Sequence, residues 1–461
     1  MTESTAELDG ADGEELCVGL GASPGTGIGP VSQIDGREDL DRVDDDDVIV
    51  TEMTAPEIVP AMKRAAAVVT DEGGVACHAA IVSRELGIPA VVGTGDATDA
   101  LGEGQTVAVD GKRGTIVTAS ADTDAAAGTA GENGQATASA GADVTDPDAD
   151  DTGASATRHS PGLTATGGKG NVSIPEAAER AADTGADGVG LLRLEHILLS
   201  MRKTPRKYVA DHGEDQFVET VADEIERVAD AFYPRPVRAR TLDAPTDELA
   251  ELEGGEEEPH EHNPMLGWRG IRRSLDESDL AKLELRAFKT LHDRGYDNVE
   301  VMFPLPNNPD EIVAARELMT EVGIDPETRQ WGTMIETPAS VRQIDGFVET
   351  GINFVALGTN DLIQYILAVD RNNGNVADHF DAMHPSVLEA MGEVIETCNE
   401  HDVDTTITGQ AGSKPEMARF LVDAGISSLS ANIDAVDEVR DVVGRVERQL
   451  TLDAARRTLS E

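Results

Sequence analysis

Cysteine is scarce in this 461-residue chain, with only Cys17, Cys77 and Cys398. An odd, sparse set without metal-type spacing argues against a disulfide framework and for a reducing cytoplasm. Long apolar runs are also missing. No stretch approaches the roughly 20 residues that a membrane span requires. The acidic, polar start Met1–Gly10 does not read as a signal peptide. The expected location is therefore the cytoplasm. Positive charge is the third shortage: 37 Lys and Arg stand against 88 Asp and Glu, a net charge of −51, and most of the cations are Arg. That balance argues against nucleic acid and against anionic membrane surfaces as partners. The excess runs along the whole chain, with dense spots at Asp44–Asp47 and Glu256–Glu258, as in adaptation to a high-salt cytoplasm. At molar salt the Debye length is about 3 Å, so such a surface need not repel an anionic substrate. An acidic interaction surface is the alternative.

What is present falls into four stretches. Residues 1–14 read as a solvated acidic tail. From 15 to 118, short strands at Val48–Val50, Ala67–Val69, Ala90–Val92 and Thr106–Val109 alternate with helical patterns at Ala55–Arg64 and Ala79–Leu86. Gly87 and Pro89 stop the second helix, and the whole is a small α/β domain. Residues 119–165 contain one Leu, one Val and no aromatic residue. Such a segment cannot bury enough apolar surface to offset its ordering entropy, so a disordered acidic linker is expected, with the first domain free to move. From 166 to 461, strand candidates lie near 170–174, 187–192, 236–242, 298–303, 331–335, 352–357, 403–408 and 427–431. Helical patterns such as Asp276–Asp293, Pro309–Val322 and Ser386–Glu400 separate them. Eight strand–helix units predict a (β/α)8 barrel.

Candidate chemistry sits in both folded parts. In the first, the apolar run Ala65–Val69 leads through Gly73–Gly74 to His78 at a helix start. Unpaired N–H groups and the positive end of the helix dipole would stabilise a phosphoryl group accepted by that imidazole. A helix-start histidine with an ordinary hydrogen bond is the other reading. In the barrel, chemistry gathers beyond the C-terminal strand ends. Those positions carry Arg193 and Glu195, Arg240 and Asp243, Glu336, Gly358 to Asp361, Thr408 to Gln410, and Asn432, while the third connection runs from Asn263 to Arg272. Arginine forks suit phosphate and carboxylate, and Glu336 and Asp361 suit Mg²⁺. Together they predict a site for a small phosphorylated carboxylic acid. Singly, each has a structural reading: Arg193–Glu195 and Arg240–Asp243 as ion pairs, Glu336 as a helix cap, Asp361 as a first-turn acid.

The segments Gly19–Gly25, Gly73–Ile81, Arg240–Asp243, Asn263–Arg269, Met334–Glu336, Gly358–Leu362, Val369–Arg371 and Gly409–Gln410 together resemble the phosphoenolpyruvate-utilising enzymes. Glu258–Gly267 and His78–Pro89 resemble the phosphoenolpyruvate synthase branch of that family. The resemblance implies a swivelling phosphohistidine domain and a barrel that binds phosphoenolpyruvate or pyruvate. It makes His78 the phosphoryl-accepting nucleophile. Arg240 and Arg269 become the phosphoryl clamp with Arg371 nearby, and Gly358, Thr359 and Asn360 become substrate contacts. Arg193, Asp243 and Gln410 support them, Glu336 and Asp361 hold Mg²⁺, and a homodimer forms through the barrel. Three departures matter. The chain starts almost at the swivel, so the ATP half-reaction is expected on a separate ATP-grasp subunit. Thr408 stands where the family places an acid Cys, and an alcohol is a far weaker acid than a thiol of pKa about 8.5. Ala76 replaces a Thr two residues before the histidine, and Val75 replaces a commonly basic or polar residue. A catalytically impaired homologue that binds phosphoenolpyruvate and regulates is therefore the second expectation.

Overall fold

Residues 14–34, 36–54, 58–74, 77–119, 164–371, 376 and 379–460 are described in a computed structural model. The first part is one eight-stranded sheet. Its strands are β1 Glu15–Val18, β2 Leu20–Ser23, β3 Thr26–Ile34, β4 Val48–Thr51, β5 Ala67–Thr70, β6 Ala90–Val92, β7 Thr106–Asp110 and β8 Thr115–Thr118. They lie in the order β1-β8-β7-β3-β4-β5-β6-β2. The β3 to β6 stretch is parallel and the flanking pairs are antiparallel. Sequence reading finds β4 to β7; of these β4, β5 and β6 are apolar runs buried along their whole length, as parallel strands under helices should be. It misses β2, β3 and β8, whose Gly, Pro and Thr residues interrupt any apolar run, and the four-residue edge strand β1. The expected helix Ala55–Arg64 is shorter, spanning Val59–Met62. Pro60 has no N–H and cannot sit inside a longer helix, so the helix begins one residue before it; residues 55–57 lie outside the described set. The helix His78–Leu86 forms as expected, with Gly87 closing it at φ 73°.

The second part is a closed parallel barrel. Its strands are β9 Gly167–Val172, β10 Val189–Arg193, β11 Val237–Arg240, β12 Val299–Phe303, β13 Trp331–Ile335, β14 Phe354–Gly358, β15 Asp404–Thr408 and β16 Ser428–Ala431. β16 pairs with β9 to close the ring. β9 begins three residues earlier than its apolar signal at 170, because Gly167, Gly168 and Gly170 contribute no hydrophobicity. The expected helix Asp276–Asp293 forms as Ser278–Arg294, and Glu277, at φ −101° and ψ 51°, separates it from a short helix Ile271–Asp276. Wall residues such as Leu192, Val301, Ile335, Leu357 and Ile407 are fully buried under the outer helices. Leu191, Met302, Met334, Phe354 and Ala356 fill the lumen, so the barrel is a packed core rather than a pore. Toward the N-terminal strand ends this lumen also encloses a charge pair, Arg238 Nε to Glu300 Oε2 at 2.8 Å.

Two buried carboxyl groups position what lies above. Glu284, on the helix Ser278–Arg294, accepts the N–H of Leu242 at 3.1 Å and so pins the backbone beside Asp243. Glu85, in the last turn of the His78 helix, accepts the N–H groups of Ser173 at 2.8 Å and Ile174 at 3.0 Å. Those residues form the turn after β9, so Glu85 docks the small domain on the barrel. Arg180 Nη1 donates to the Glu85 carbonyl at 2.9 Å, and Lys63 pairs with Glu176 at 2.9 Å. One apolar cluster, including Ala79, Val82, Ile174 and Ala177, continues across this seam. Positions 1–13 of the expected tail lie outside the described residues, as does nearly all of the expected linker, positions 120–163.

Burial pushes the Glu284 carboxyl up to about 7, against the pull of the Leu242 N–H and Arg273. The native state thus binds an extra proton between the ordinary carboxyl range and about pH 7, and stability falls as pH rises through that window. Glu284→Gln keeps an acceptor oxygen without the charge. It should match the parent near pH 4.5 and exceed its stability by about 3 kcal/mol at pH 8, as read by denaturant titration. Equal stability at pH 8 would refute a buried proton at Glu284. Glu85→Ala strips two N–H groups of their acceptor and should shift the docked form toward release by about 2 kcal/mol. Small-angle scattering should show a larger radius of gyration; an unchanged radius would mean that apolar packing alone holds the domains.

Candidate active site

Successive strand ends deliver the charges of the barrel mouth. Arg193 ends β10, with Glu195 and His196 following in the helix Leu194–Ser200. Arg240 ends β11, Glu336 follows β13, and Asp361 lies in the first turn of the helix Thr359–Leu367. Asp243, its side chain wholly buried, joins Arg240 and Arg269. Its Oδ2 lies 2.9 Å from Arg240 Nη1 and 2.7 Å from Arg269 Nη2, and its Oδ1 takes Arg269 Nε at 2.9 Å. Arg240 also hydrogen-bonds Glu195 through Nη2 and stands 3.9 Å from Glu336. Arg269 and Arg371 approach Asp361 Oδ1 at 3.6 and 3.4 Å. Arg193 donates to Ser173 Oγ at 2.6 Å, and its own distance to Glu195 is 4.0 Å. The Arg240–Asp243 and Arg193–Glu195 ion pairs of the structural reading are both present, and Glu195 accepts its hydrogen bond from Arg240 rather than from Arg193. Thr337, not Glu336, caps the helix Pro338–Arg342.

Glu336 reaches the mouth because β14 ends in glycine. A Cβ at Gly358 would lie 2.2 Å from Glu336 Oε1. The Leu305 N–H holds the other oxygen at 3.0 Å. Burial, then Asp361 and Asp243, pushes the Glu336 carboxyl up to about 8. Burial would raise Asp361 too, but Arg371, Arg269 and Arg240 outweigh it and hold Asp361 below the ordinary range. The two acids thus part company: at neutral pH Asp361 is ionised and Glu336 keeps its proton.

His78 arrives from the docked small domain as the first residue of its helix. Its Nδ1 lies 3.0 Å from Thr54 Oγ1, and Nε2 is buried without a hydrogen-bond partner. The ring is nearly parallel to that of His196, with 6.0 Å between centroids and 16° between planes. Burial, then His196, drives the His78 pKa down to about 3; burial, then Arg193 and Arg240, does the same to His196. Both rings are neutral at physiological pH. With Nδ1 donating to Thr54, Nε2 presents a lone pair. Glu195 Oε2, Arg240 Nε, Asp361 Oδ1 and Arg371 Nη1 are likewise buried without hydrogen-bond partners. Buried polar atoms are normally satisfied, so this concentration of orphans marks a place built for a ligand.

Thr408 is buried, and its hydroxyl donates to the Leu357 carbonyl at 3.2 Å, while Thr359 Oγ1 donates to the Thr408 carbonyl at 2.7 Å. Gln410 opens the short turn Gln410–Ser413 beyond it, and Asn360 begins its helix beside Thr359. Val75 and Ala76 lie outside the described residues. Thr54, His196 and Glu284 are the residues that sequence reading does not find. Thr54 and Glu284 carry no local signal, being 24 and 42 positions from the groups they serve. His196 has one: it directly follows the Arg193–Glu195 strand end.

Comparison with known proteins places these two bodies together. Residues 160–448 match the PEP-utilising enzyme, PEP-binding domain, and residues 43–114 match the PEP-utilising enzyme, mobile domain. The phosphoenolpyruvate synthase of Pyrococcus furiosus is 50% identical over 97% of this chain and 53% of its own. The probable phosphoenolpyruvate synthase of Archaeoglobus fulgidus is 47% identical over 97% of this chain and 56% of its own. The phosphoenolpyruvate synthase of Aeropyrum pernix is 38% identical over 96% and 53%. The chain spans about half the length of the curated relatives it matches. With its small sheet domain and its barrel matched in that order, the chain belongs to the PEP-utilising enzyme family.

Proposed function

We propose that this chain moves a phosphoryl group between phosphoenolpyruvate or pyruvate and its own His78, in the manner of a pyruvate, water dikinase. The observation that carries this reading is His78 Nε2, a neutral, buried and unpartnered nitrogen brought against a mouth of arginines. In the proposed step Nε2 attacks phosphorus and the P–O bond to the enol oxygen breaks. The enolate oxygen keeps the electron pair, and the ring proton stays on Nδ1 toward Thr54. Arg240, Arg269 and Arg371 take the phosphoryl charge. The first N–H groups of the helix after Gly358, with Thr359 and Asn360, suit the carboxylate. Asp243 fixes the two clamp guanidinium groups, and Arg193 and Gln410 support them.

Asp361, and Glu336 once a bound cation displaces its proton, fit Mg²⁺, which takes one or two carboxylates and completes its shell with substrate oxygens. Asp361 Oδ1, buried and lacking a hydrogen-bond donor, is a suitable ligand atom. Bound there, the ion would neutralise charge on the phosphoryl and enolate oxygens. The small domain would swing on the 119–165 segment to an ATP-grasp subunit that supplies the other half-reaction. A homodimer through the barrel, working in a salt-rich cytoplasm, completes the proposal. Labelled phosphoenolpyruvate with Mg²⁺ should leave acid-labile phosphate on the parent chain and none on His78→Ala. A parent chain that takes no label would overturn the reading.

One observation favours a second reading, a phosphoenolpyruvate-binding regulator with impaired turnover. The Thr408 hydroxyl is committed to the Leu357 carbonyl, and it is a poor acid in any case. Thr408→Cys separates the two. If protonation of the enolate limits an otherwise competent enzyme, pyruvate formation should rise by about 100-fold, the scale of a positioned general acid. Ligand binding without any gain in pyruvate would favour the regulator.

A further inference from the structure

We propose that His196 is a positioning residue for phosphoryl transfer: its uncharged imidazole face lies parallel to His78, fixes that ring for attack, and accommodates the positive charge the ring acquires. The inference rests on the reading that His78 accepts the phosphoryl group.

The His78 side chain hangs from the first residue of its helix and has one hydrogen bond, Nδ1 to Thr54 Oγ1 at 3.0 Å. A single bond at one ring atom leaves the ring free to pivot about it. The lone pair of Nε2 lies in the ring plane, so a pivot would swing it off the phosphorus. The His196 ring, 6.0 Å away and 16° from parallel, blocks that pivot from the barrel side. Its backbone is rigid, since it belongs to the helix that directly follows β10.

Charge gives the second argument. As the Nε2–P bond forms and the P–O bond breaks, His78 passes from neutral imidazole to N-phosphoryl imidazolium, with the Nδ1 proton still shared with Thr54. The reacting Nε2 is buried, so the new positive charge has little water beside it. A neutral aromatic face can stabilise a cation beside it, whereas a protonated neighbour would repel it. His196 meets that requirement. Burial disfavours its imidazolium, and Arg193 and Arg240 disfavour it further. The arginines that attract the phosphoryl group thus also keep the stacking partner uncharged. What the position needs is a flat ring without charge, and this distinguishes the proposal from simple space filling at the domain seam.

Phe keeps the neutral face, and Leu fills comparable volume without one. In single-turnover transfer from labelled phosphoenolpyruvate with Mg²⁺, His196→Phe should stay within about twofold of the parent. His196→Leu should be about tenfold slower, with half-saturation by phosphoenolpyruvate within about twofold of the parent. Equal rates for the two variants would overturn the proposal, because packing alone would then explain the contact. A second readout does not depend on phosphoenolpyruvate. His78 can be phosphorylated chemically with phosphoramidate and the half-life of the phosphohistidine measured in the full chain. His196→Leu should shorten it about tenfold and His196→Phe should not. If the parent takes no label from phosphoenolpyruvate, the proposed function fails, and this half-life decides the role of His196 alone. Identical half-lives in parent and Leu variant would overturn it.

Discussion

One buried carboxylate, Asp243, holds two guanidinium groups, and the rest of the mouth is arranged around that fact. Arg240 and Arg269 come from different elements, a strand end and a long connection, and their like charges would drive them apart if nothing lay between them. Removing either from water costs several kcal/mol unless the geometry of its partner is good. Asp243 supplies such geometry, gripping Arg269 with both oxygens and Arg240 with one. The free ends of the two arginines then extend in different directions, Arg240 to Glu195 and Glu336, Arg269 to Asp361. Asp243 is itself held from below, because Glu284 fixes the N–H of the preceding residue. In a chain of net charge −51, cations are a limited resource, and four arginines are concentrated at this mouth against four carboxylic side chains.

The difference between Glu336 and Asp361 follows from the same network. Both acids are buried beside each other, so burial raises both and each disfavours ionisation of its neighbour. Arg371 and Arg269 lie against Asp361, while Glu336 has Arg240 only at 3.9 Å. The nearer cations therefore decide which acid gives up its proton. This is a matter of tenths of an ångström, and it could not be read from spacing along the chain.

Much of the fold was legible for a simple physical reason. A parallel barrel strand is buried on both faces, so Val299–Phe303, Trp331–Ile335 and Phe354–Gly358 stand out as apolar runs. The polar residue at the end of each run marks the catalytic face, which is why Arg240, Glu336 and Asp361 could be grouped before any coordinates. The same logic fails for β3, Thr26–Ile34, which alternates buried and exposed positions and carries Gly27, Gly29 and Pro30. It fails again for Thr54 and His196, because Thr54 meets His78 only once the small domain has folded and His196 meets it only when that domain sits on the barrel. A hydrogen bond across 24 residues and a ring contact across two domains leave no periodicity to detect. The reading of Glu336 as a helix cap fails more locally, since Thr337 has the hydroxyl that reaches the first-turn N–H.

The docked geometry links seating of the small domain to the state of the mouth. His78 and Glu85 occupy the first and last turns of one short helix, seven residues apart, so about 10 Å of helical backbone separates the two side chains. When Glu85 accepts the Ser173 and Ile174 N–H groups, the position of His78 over the end of β10 follows from helix geometry alone. Ser173 works on both sides of this arrangement. Its N–H binds Glu85, and its hydroxyl accepts from Arg193 at 2.6 Å. Arg193 in turn is one of the two cations that disfavour charge on His196. A single turn after β9 connects Glu85, a site arginine and the ring beneath His78. The seating of the small domain and the arrangement of Arg193 and His196 therefore share one short turn, Ser173 and Ile174.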